Sequence, residues 1–318
     1  MIWWLRPAVR LGAALALPFI VPAVIIAIVW LMPGDAAENL CGGSCVPSAV
    51  EALKERWELG QGPMHFYQVW LGNAVDFEFG KSAVVNPGQR VSELLWYEPD
   101  FDGGWRPGGI PTTFGLMLLT LVPLTLGSVC SALGWIPRRL DGVWQGIGMV
   151  PAVIFALVAW AYITLTFNDP PYSLKMGLGA LVLALSDGTL AGAITGTRAT
   201  FEEERKQRYA QMAVLRGETI LQNTLPNVLP ALVGQFRARI LTVLSGAVVV
   251  EVVLGLGGLG DLLWLSTLKQ DYLVLLGATF MFAVFSSMLL GVHGLIEIAN
   301  NLFVHRSPAG IPSDQGAS

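Results

Sequence analysis

The sequence is poor in charged residues, and this scarcity excludes an ordinary soluble domain. Only 13% of the 318 residues are charged and 53% are hydrophobic, whereas a soluble globular chain carries about 25% charged residues. Histidine is also scarce, with three residues far apart along the chain. No HExxH or Gly-x-Ser-x-Gly motif occurs, so the common zinc and serine hydrolase chemistries lack their residues. We therefore expect no catalytic, cofactor-binding or metal-binding residue in this chain.

The hydrophobic residues are gathered in six long runs that match the thickness of a bilayer. About 20 apolar residues span the hydrocarbon core. Four runs contain no charge, a fifth is interrupted only by Asp187, and the sixth contains Arg237, Arg239 and Glu251. In chain order the runs are 11–32, 114–136, 143–167, 176–197, 228–254 and 272–296. They predict an all-α membrane protein with six transmembrane helices.

The distribution of basic residues orients these helices. With the N-terminus inside, ten of the 19 basic residues face the cytoplasm. The short inner loop 137–142 carries two arginines, as the positive-inside rule requires. These ten are Arg6, Arg10, Arg138, Arg139, Arg198, Arg205, Lys206, Arg208, Arg216 and Arg306. Both termini of this multi-pass protein are therefore predicted to be cytoplasmic.

The predicted spans divide the chain into parts. Residues 1–32 form a cytoplasmic N-terminus and helix 1, and 33–111 form an extracytoplasmic segment between helices 1 and 2. That segment is small for an independent domain. Residues 112–306 form the transmembrane core, which includes a cytoplasmic loop at 198–227. Residues 307–318 are expected to be a disordered tail.

Two cysteines in the extracytoplasmic segment are candidates for a disulfide. Cys41 and Cys45 lie four residues apart in CGGSC, and an oxidising compartment permits a disulfide there. A metal site is the alternative, although no histidine is near in sequence. Spacing alone does not decide between them, because a disulfide requires a defined geometry.

Two glycine-containing stretches resemble nucleotide-binding fragments. GLGGLG at 255–260 satisfies G-x-G-x-x-G, but dinucleotide binding requires a βαβ unit and an acidic residue about 20 residues further on. A re-entrant or surface turn is predicted instead. Phe79-Gly-Lys-Ser82 resembles the end of a P-loop, but Val75 occupies the first glycine position. Any ATP hydrolysis is therefore expected on another subunit.

Three charged residues fall at membrane depth, where charge is costly. Asp187 lies in the middle of its span, which favours a structural or a translocation-path role. The side chains of Arg237 and Arg239 are expected to reach the interface from a helix end. A substrate path or an inter-helix ion pair is the alternative for the arginines.

The loop 198–227 is the longest predicted cytoplasmic segment. It begins with a charged helical run, passes Tyr209, Ala213 and Gly217, and ends in LQNTLPNVLP. The pattern predicts a helix, a glycine break, a short helix and a proline at re-entry into the membrane. A docking helix for a cytoplasmic partner and an ordinary solvated loop both fit this pattern.

At this loop the sequence resembles the permease subunits of binding-protein-dependent ABC importers. Their pattern is Glu-Ala-Ala, three residues, Gly, and further on Ile-x-Leu-Pro. Gln211-Met-Ala213 stands at the first position and Gly217 at the glycine, with Leu225-Pro226 or Leu229-Pro230 at the Leu-Pro. The match to Leu225-Pro226 implies a deletion of about four residues relative to the family.

Further stretches narrow the resemblance to the dipeptide, oligopeptide and nickel branch of these permeases. They are MPGDA at 32–36, residues 53–82, RVSELL at 90–95, residues 245–263 and Asp271-Tyr272. The sequence departs from the branch in three places. Ala36 and a glycine at 257 or 258 replace prolines, and the C-terminal Asp-Pro-Arg is absent.

The resemblance implies a permease subunit of an ATP-driven importer. Such a subunit forms half of the path for a peptide-like or other small solute delivered by an extracytoplasmic binding protein. The implied partners are a second permease, two ATP-binding subunits, the binding protein and membrane lipid, with no nucleic acid. No cofactor is implied in this chain, because ATP binds the partner subunits.

The resemblance also assigns candidate residues. Those of the ATPase-coupling loop are Tyr209, Ala213, Gly217, Leu225 and Pro226. Asp187 is not a feature of the family, and it is the candidate translocation-path residue only because it lies in the middle of a span. A gradient-driven transporter or channel is the alternative, as is a non-transporting membrane scaffold. Many secondary transporters contain inverted repeats, and the sequence shows none.

Overall fold

The computed structural model describes residues 5–41, 46–99, 105–217 and 220–306. These residues form fourteen α-helices and two short strands. The helices are α1 Leu5–Leu31, α2 Ala36–Cys41, α3 Pro47–Arg56, α4 Pro63–Val75, α5 Val91–Trp96, α6 Gly109–Ala132, α7 Asp141–Gly148, α8 Ala152–Thr166, α9 Tyr172–Leu185, α10 Thr189–Arg205, α11 Arg208–Leu215, α12 Ile220–Leu254, α13 Leu259–Leu268 and α14 Tyr272–Arg306. The strands are β1 Tyr97–Pro99 and β2 Trp105–Pro107.

Three helices are long and apolar enough to cross a membrane alone. They are α6 and the parts of α1 and α14 at Leu11–Leu31 and Tyr272–Val292. Three pairs meet the same criterion only when the two helices are taken together, and they bend by 83° between α7 and α8, 48° between α9 and α10, and 65° between α12 and α13. The described chain therefore contains three candidate spans, or up to six if each bent pair crosses once.

The continuous helices predicted at 143–167 and 176–197 are each broken in two. Pro151 precedes α8, and its ring cannot continue the helix that ends at Gly148. Asp187 and Gly188 both have positive φ, at 52° and 69°, a left-handed conformation that ends α9. Hydropathy counts apolar residues along a run, and it is insensitive to one left-handed residue pair.

The segment that follows α1 packs onto the bundle. Its core contains the fully buried aromatic residues Trp57, Phe66, Trp70 and Phe79, together with residues of α1, α13 and α14. The Trp70 ring meets the Phe280 ring of α14 edge-on, with centroids 5.8 Å apart. We call this segment, residues 33–111, the cap.

The cap also contains the two strands. β1 and β2 pair antiparallel, with Tyr97 opposite Pro107 and Pro99 opposite Trp105. The expectation of an all-α chain is therefore correct for the bundle and wrong for this small ribbon. The sequence did not predict these strands, because three-residue strands are too short to display a period-2 pattern.

Candidate functional site

The predicted coupling loop forms a short helix between two longer ones. α10 ends at Arg205, α11 spans Arg208–Leu215, and α12 begins at Ile220. Gly217 lies between α11 and α12 with φ of 78°, a conformation that glycine adopts without steric cost. The predicted order of helix, glycine break and helix is present.

The prolines of this loop do not interrupt the helix, although the sequence analysis expected a short helix to end at a proline before re-entry into the membrane. α12 runs from Ile220 to Leu254 as one helix, so Leu225-Pro226 and Leu229-Pro230 both lie inside it. Each proline lacks one backbone N–H, and the remaining hydrogen bonds of a 35-residue helix maintain it. Such prolines are tolerated in membrane helices when the freed carbonyls find other partners.

The short helix α11 presents apolar side chains outward. Met212 is 58% exposed and Leu215 is 80% exposed, while Ala210 on the other face is buried. The Tyr209 hydroxyl donates a hydrogen bond to the Glu204 carboxylate of α10. The side chains of Ala213, Leu225 and Pro226 lie outside the described residues, and only their positions in α11 and α12 are known.

Ion pairs fasten the neighbouring loop 137–142 to α10 at the same end of the bundle. The Arg198 guanidinium donates to both Asp141 carboxylate oxygens at 2.6 Å, and to the Ile136 carbonyl at 2.7 Å. Arg138 pairs with Glu202 one turn further along α10. Two of the basic residues that orient the chain, Arg138 and Arg198, therefore lie along α10, the helix that leads to α11.

Asp187 occupies the break between α9 and α10, where it meets the break between α7 and α8. The Asp187 backbone N–H donates to the Val150 carbonyl at 3.2 Å. Gly148 and Gly188 allow this approach, because a Cβ at Gly148 would lie 2.7 Å from the Gly188 Cα. The Asp187 side chain is exposed and lines a cavity of about 590 Å³ with residues of α8 and α12.

The two arginines of α12 line a second cavity of about 570 Å³, among α6, α10, α12 and α14. The Arg239 guanidinium donates to the Gly192 carbonyl of α10, and Gly192 and Gly196 make room for it. The Arg239 side chain thus bonds to a neighbouring helix, and whether it also reaches the interface remains a prediction. Gly192 has no side chain, and its carbonyl is therefore open to the Arg239 guanidinium.

A family model for the inner membrane component of binding-protein-dependent transport systems matches residues 123–299, more than half of the chain. The match contains α11 and both bent pairs that meet at Asp187. The chain belongs to this family. It is accordingly a multi-pass permease subunit of an ABC importer, as the sequence resemblance implied.

Curated relatives extend the match beyond these residues. The permease is 26% identical over 291 residues to the oligopeptide transport system permease protein AppB of Bacillus subtilis, covering 83% of this chain and 86% of the relative. It is 24% identical over 288 residues to the glutathione transport system permease protein GsiC of Shigella boydii, covering 84% and 87% respectively. The family assignment thus favours an importer subunit over a gradient-driven transporter or a scaffold.

The GLGGLG stretch of the permease is a turn around a buried carboxyl group, in line with the turn that the sequence predicted. Gly255 and Gly257 have positive φ, at 59° and 71°. Glu251 is fully buried and accepts hydrogen bonds from the Thr113 hydroxyl at 2.6 Å and the Gly260 N–H at 2.7 Å. Sequence reasoning placed the turn and missed Glu251 as its anchor.

The Phe79-Gly-Lys-Ser82 stretch of the permease leads into a loop whose donors bind a carboxyl group of the protein itself. Asp271 is fully buried. Its Oδ2 accepts from the Ser82 hydroxyl at 2.7 Å and from three consecutive backbone N–H groups, of Ala83, Val84 and Val85, at 2.9–3.1 Å. This nest of donors fastens the cap to the start of α14.

The disulfide hypothesis concerns residues that the structure does not describe, because Cys45 lies outside the described residues. Cys130 is a free cysteine in α6. Among the described residues, no group of three or more His, Cys, Asp and Glu side chains is placed to hold a metal ion. The pairing of Cys41 with Cys45 remains a prediction.

Proposed function

We propose that the permease is one of two membrane subunits of an importer for peptide-like solutes. Relatives named for oligopeptide and glutathione transport support this substrate class. The proposed assembly adds a second permease, two ATP-binding subunits and an extracytoplasmic binding protein. ATP is bound only by the ATP-binding subunits.

The proposed topology has six spans, each bent pair crossing once, with both termini in the cytoplasm of a bacterial-type inner membrane. The observation that supports it is the gathering of Arg138, Arg198 and α11 at one end of the bundle, while the cap packs at the other end. Basic residues concentrate on the cytoplasmic side of membrane proteins. The cap then faces the binding protein, and α11 faces the ATP-binding subunits.

The proposed mechanism is alternating access. Closure of the ATP-binding subunits moves α11, and α10 carries the motion because it packs against α11 and is fastened to loop 137–142 through Arg198. The same helix begins next to Asp187 at the break. A movement of the cytoplasmic end therefore changes the position of a carboxylate on the proposed translocation path.

Extraction of a tagged chain from its native membrane in mild detergent tests the assembly. Mass spectrometry should find two ATP-binding chains and a second permease in stoichiometric amounts. Reconstitution of that complex with its binding protein should give ATP-dependent uptake of a peptide such as trialanine. A lone chain that transports with a gradient and without ATP would contradict the proposal.

A further inference from the structure

The cavity beside Asp187 contains three side chains that can accept hydrogen bonds, among otherwise apolar lining residues. α12 presents two exposed hydroxyl residues to it, Thr242 and Ser245. The Thr242 hydroxyl donates its proton to the Ala238 carbonyl at 3.1 Å, which leaves its lone pairs available to a donor. The other lining residues are Pro151, Ala152, Val153, Leu241, Gly246 and Val249. No lining residue is basic, so the cavity carries the charge of Asp187 alone.

The carboxylate is deep within its bent pair. α9 has 14 residues, and at 1.5 Å per residue it places Asp187 on the order of 20 Å from the cap end. A charge at such depth usually faces a wet cavity and has a partner. Within the described part of the chain no basic side chain lies within ion-pair distance of Asp187.

The local backbone supports a negative charge at this position. Asp187 directly precedes α10, whose N-cap is Gly188, and its N–H bonds to Val150 immediately before α8. Helix N-termini carry partial positive charge, and they stabilise anions within the first turn. The protein thus holds a carboxylate in a membrane cavity and leaves its countercharge to a ligand.

We propose that this cavity binds a primary ammonium group of the translocated solute, with Asp187 as the countercharge and Thr242 and Ser245 as hydrogen-bond acceptors. This inference rests on the proposed function, because the solute must arrive along the permease path. A free amino terminus is the ammonium group that peptide-like solutes share. The cavity volume of about 590 Å³ falls within the range of small-molecule sites, about 300–1,000 Å³.

Carboxyl labelling of the whole importer tests the site without nucleotide or binding protein. The complex in phosphatidylglycerol nanodiscs is treated with a water-soluble carbodiimide and taurine, and modification of Asp187 is quantified by peptide mass spectrometry. Trimethylammonium chloride is the probe, since it carries an ammonium N–H and forms no stable amide. We expect it to slow Asp187 labelling at least about fivefold, equivalent to about 1 kcal/mol of binding.

The controls separate site binding from general effects. Asp169 is an exposed carboxylate in the loop between α8 and α9, and its labelling should be unchanged by the probe. Sodium chloride at equal ionic strength and neutral tert-butanol should leave Asp187 labelling unchanged. Equal protection by sodium chloride would overturn the proposal. Failure of Asp187 to react while Asp169 reacts would also overturn the proposal, because a cation of a partner subunit would then hold the Asp187 carboxylate.

A lipid headgroup is the other source of a primary ammonium. Labelling is therefore repeated in nanodiscs that also contain phosphatidylethanolamine. Protection by this lipid without any added probe would assign the cavity to lipid and overturn the solute site. Unchanged labelling of Asp187 in both lipid compositions supports the solute site.

Uptake by the Asp187→Asn variant connects the cavity to transport. We expect the amount of trialanine transported per ATP hydrolysed to fall about tenfold, with partial rescue by Asp187→Glu. An unchanged ratio would contradict the solute site. If the wild-type importer shows no ATP-dependent uptake, the proposed function fails, while the labelling result still decides whether the cavity binds ammonium.

Discussion

Single buried carboxyl groups fasten two turns at the cap end of the bundle. Glu251 and Asp271 are fully buried, and each accepts hydrogen bonds from at least one backbone N–H and one hydroxyl. A buried donor left without an acceptor costs about 1–3 kcal/mol. Two side chains therefore determine whether the turns after α12 and α13 keep their shape.

Gly258→Ala should destabilise the permease through Glu251. A Cβ at Gly258 would overlap the Glu251 carboxyl group, although the backbone φ of −77° suits any residue. We expect a loss of about 1–3 kcal/mol, seen as a lower midpoint of thermal unfolding in detergent. Gly72→Ala, which places a Cβ in open space on α4, should leave the midpoint within about 0.5 kcal/mol of wild type.

A double-mutant cycle identifies the cause. Glu251→Ala alone leaves the Thr113 hydroxyl and the Gly260 N–H without their acceptor. In that background Gly258→Ala should cost less, with a coupling energy of at least about 1 kcal/mol. Additive effects would show that the two residues do not interact.

Asp271→Ala should detach the loop at 82–86 from the start of α14. In the loop, the change leaves four donors without an acceptor, the Ser82 hydroxyl and the N–H groups of Ala83, Val84 and Val85, and it also removes the acceptor of the Val274 N–H in α14. We expect a loss of about 3 kcal/mol or more and faster proteolysis of this loop. Asp76→Ala removes an exposed carboxylate of the same segment and should change little. Equal protease sensitivity of the two variants would show that the nest does not hold the loop.

At the scale of the elements, two bent helix pairs touch at their breaks. The contact requires Gly148, whose Cβ would meet the Gly188 Cα at 2.7 Å and the Ala191 Cβ at 3.2 Å. Packed interiors tolerate such added atoms poorly. The approach of Val150 to Asp187 therefore depends on Gly148 and Gly188, which have no side chain.

Gly148→Ala should separate the two breaks and reduce both stability and uptake. We expect a loss of about 1–3 kcal/mol, measured as the thermal midpoint, together with slower ATP-dependent uptake. Gly146→Ala is a matched control in the same helix, since its Cβ would meet nothing within 4 Å and alanine favours helix. If both variants behave like wild type, the contact between the breaks is not needed.

The turn at Gly217 should connect ATP hydrolysis to transport. A side chain there has room, because nothing lies within 4 Å of the added Cβ. The φ of 78° disfavours any L-residue by about 1–2 kcal/mol. Gly217→Val should therefore reorient α11 and lower uptake by roughly tenfold, while the ATP-binding subunits still hydrolyse ATP.

Gly88→Val is the control for strain alone. Gly88 has a similar φ of 86° in open space, but it lies in the cap at the far end of the bundle. Its variant should share the loss of stability and keep the ratio of transported solute to hydrolysed ATP. A normal ratio in Gly217→Val would remove this turn from the coupling mechanism.

These elements show which features the sequence can predict. Hydropathy located the three unbroken spans and the apolar content of the bent pairs, because burial in lipid requires apolar length. It did not predict the break at Asp187, since that depends on a contact with Val150 from another span. The GLGGLG turn was predicted from its glycines, whereas its anchor Glu251 depends on the tertiary approach of Thr113 from α6.

At the scale of the whole molecule, one helix connects the two proposed sites. α10 begins at the break next to Asp187 and ends beside α11. It also packs along α6 and α12, and Arg239 of α12 bonds to its Gly192 carbonyl. A rigid helix that contacts both sites is a physical route for coupling. Coupling requires that α10 has two positions, which differ both at Asp187 and at α11.

The membrane topology follows from whether each bent pair crosses the bilayer. In a chain with Cys41, Cys45 and Cys130 replaced by serine, single cysteines report on each loop when an impermeant maleimide is added to intact cells. Each segment that connects two candidate spans contains an exposed residue that can be replaced by cysteine. These residues are Gln61 in the cap, Arg139 before α7, Asp169 between α8 and α9, Leu215 in α11 and Lys269 after α13.

Six spans with cytoplasmic termini require an alternating pattern. Cysteines at Gln61, Asp169 and Lys269 should react from outside, and those at Arg139 and Leu215 only after permeabilisation. Each pair has its own signature, because a re-entrant α7–α8 pair would place Asp169 on the side of Arg139, and a re-entrant α9–α10 pair would place Leu215 on the side of Asp169. If α12 and α13 together fail to cross, Lys269 reacts on the side of Leu215. The proposed site at Asp187 requires that α9 and α10 cross, since only then does its carboxylate lie between the cap and the ATP-binding subunits.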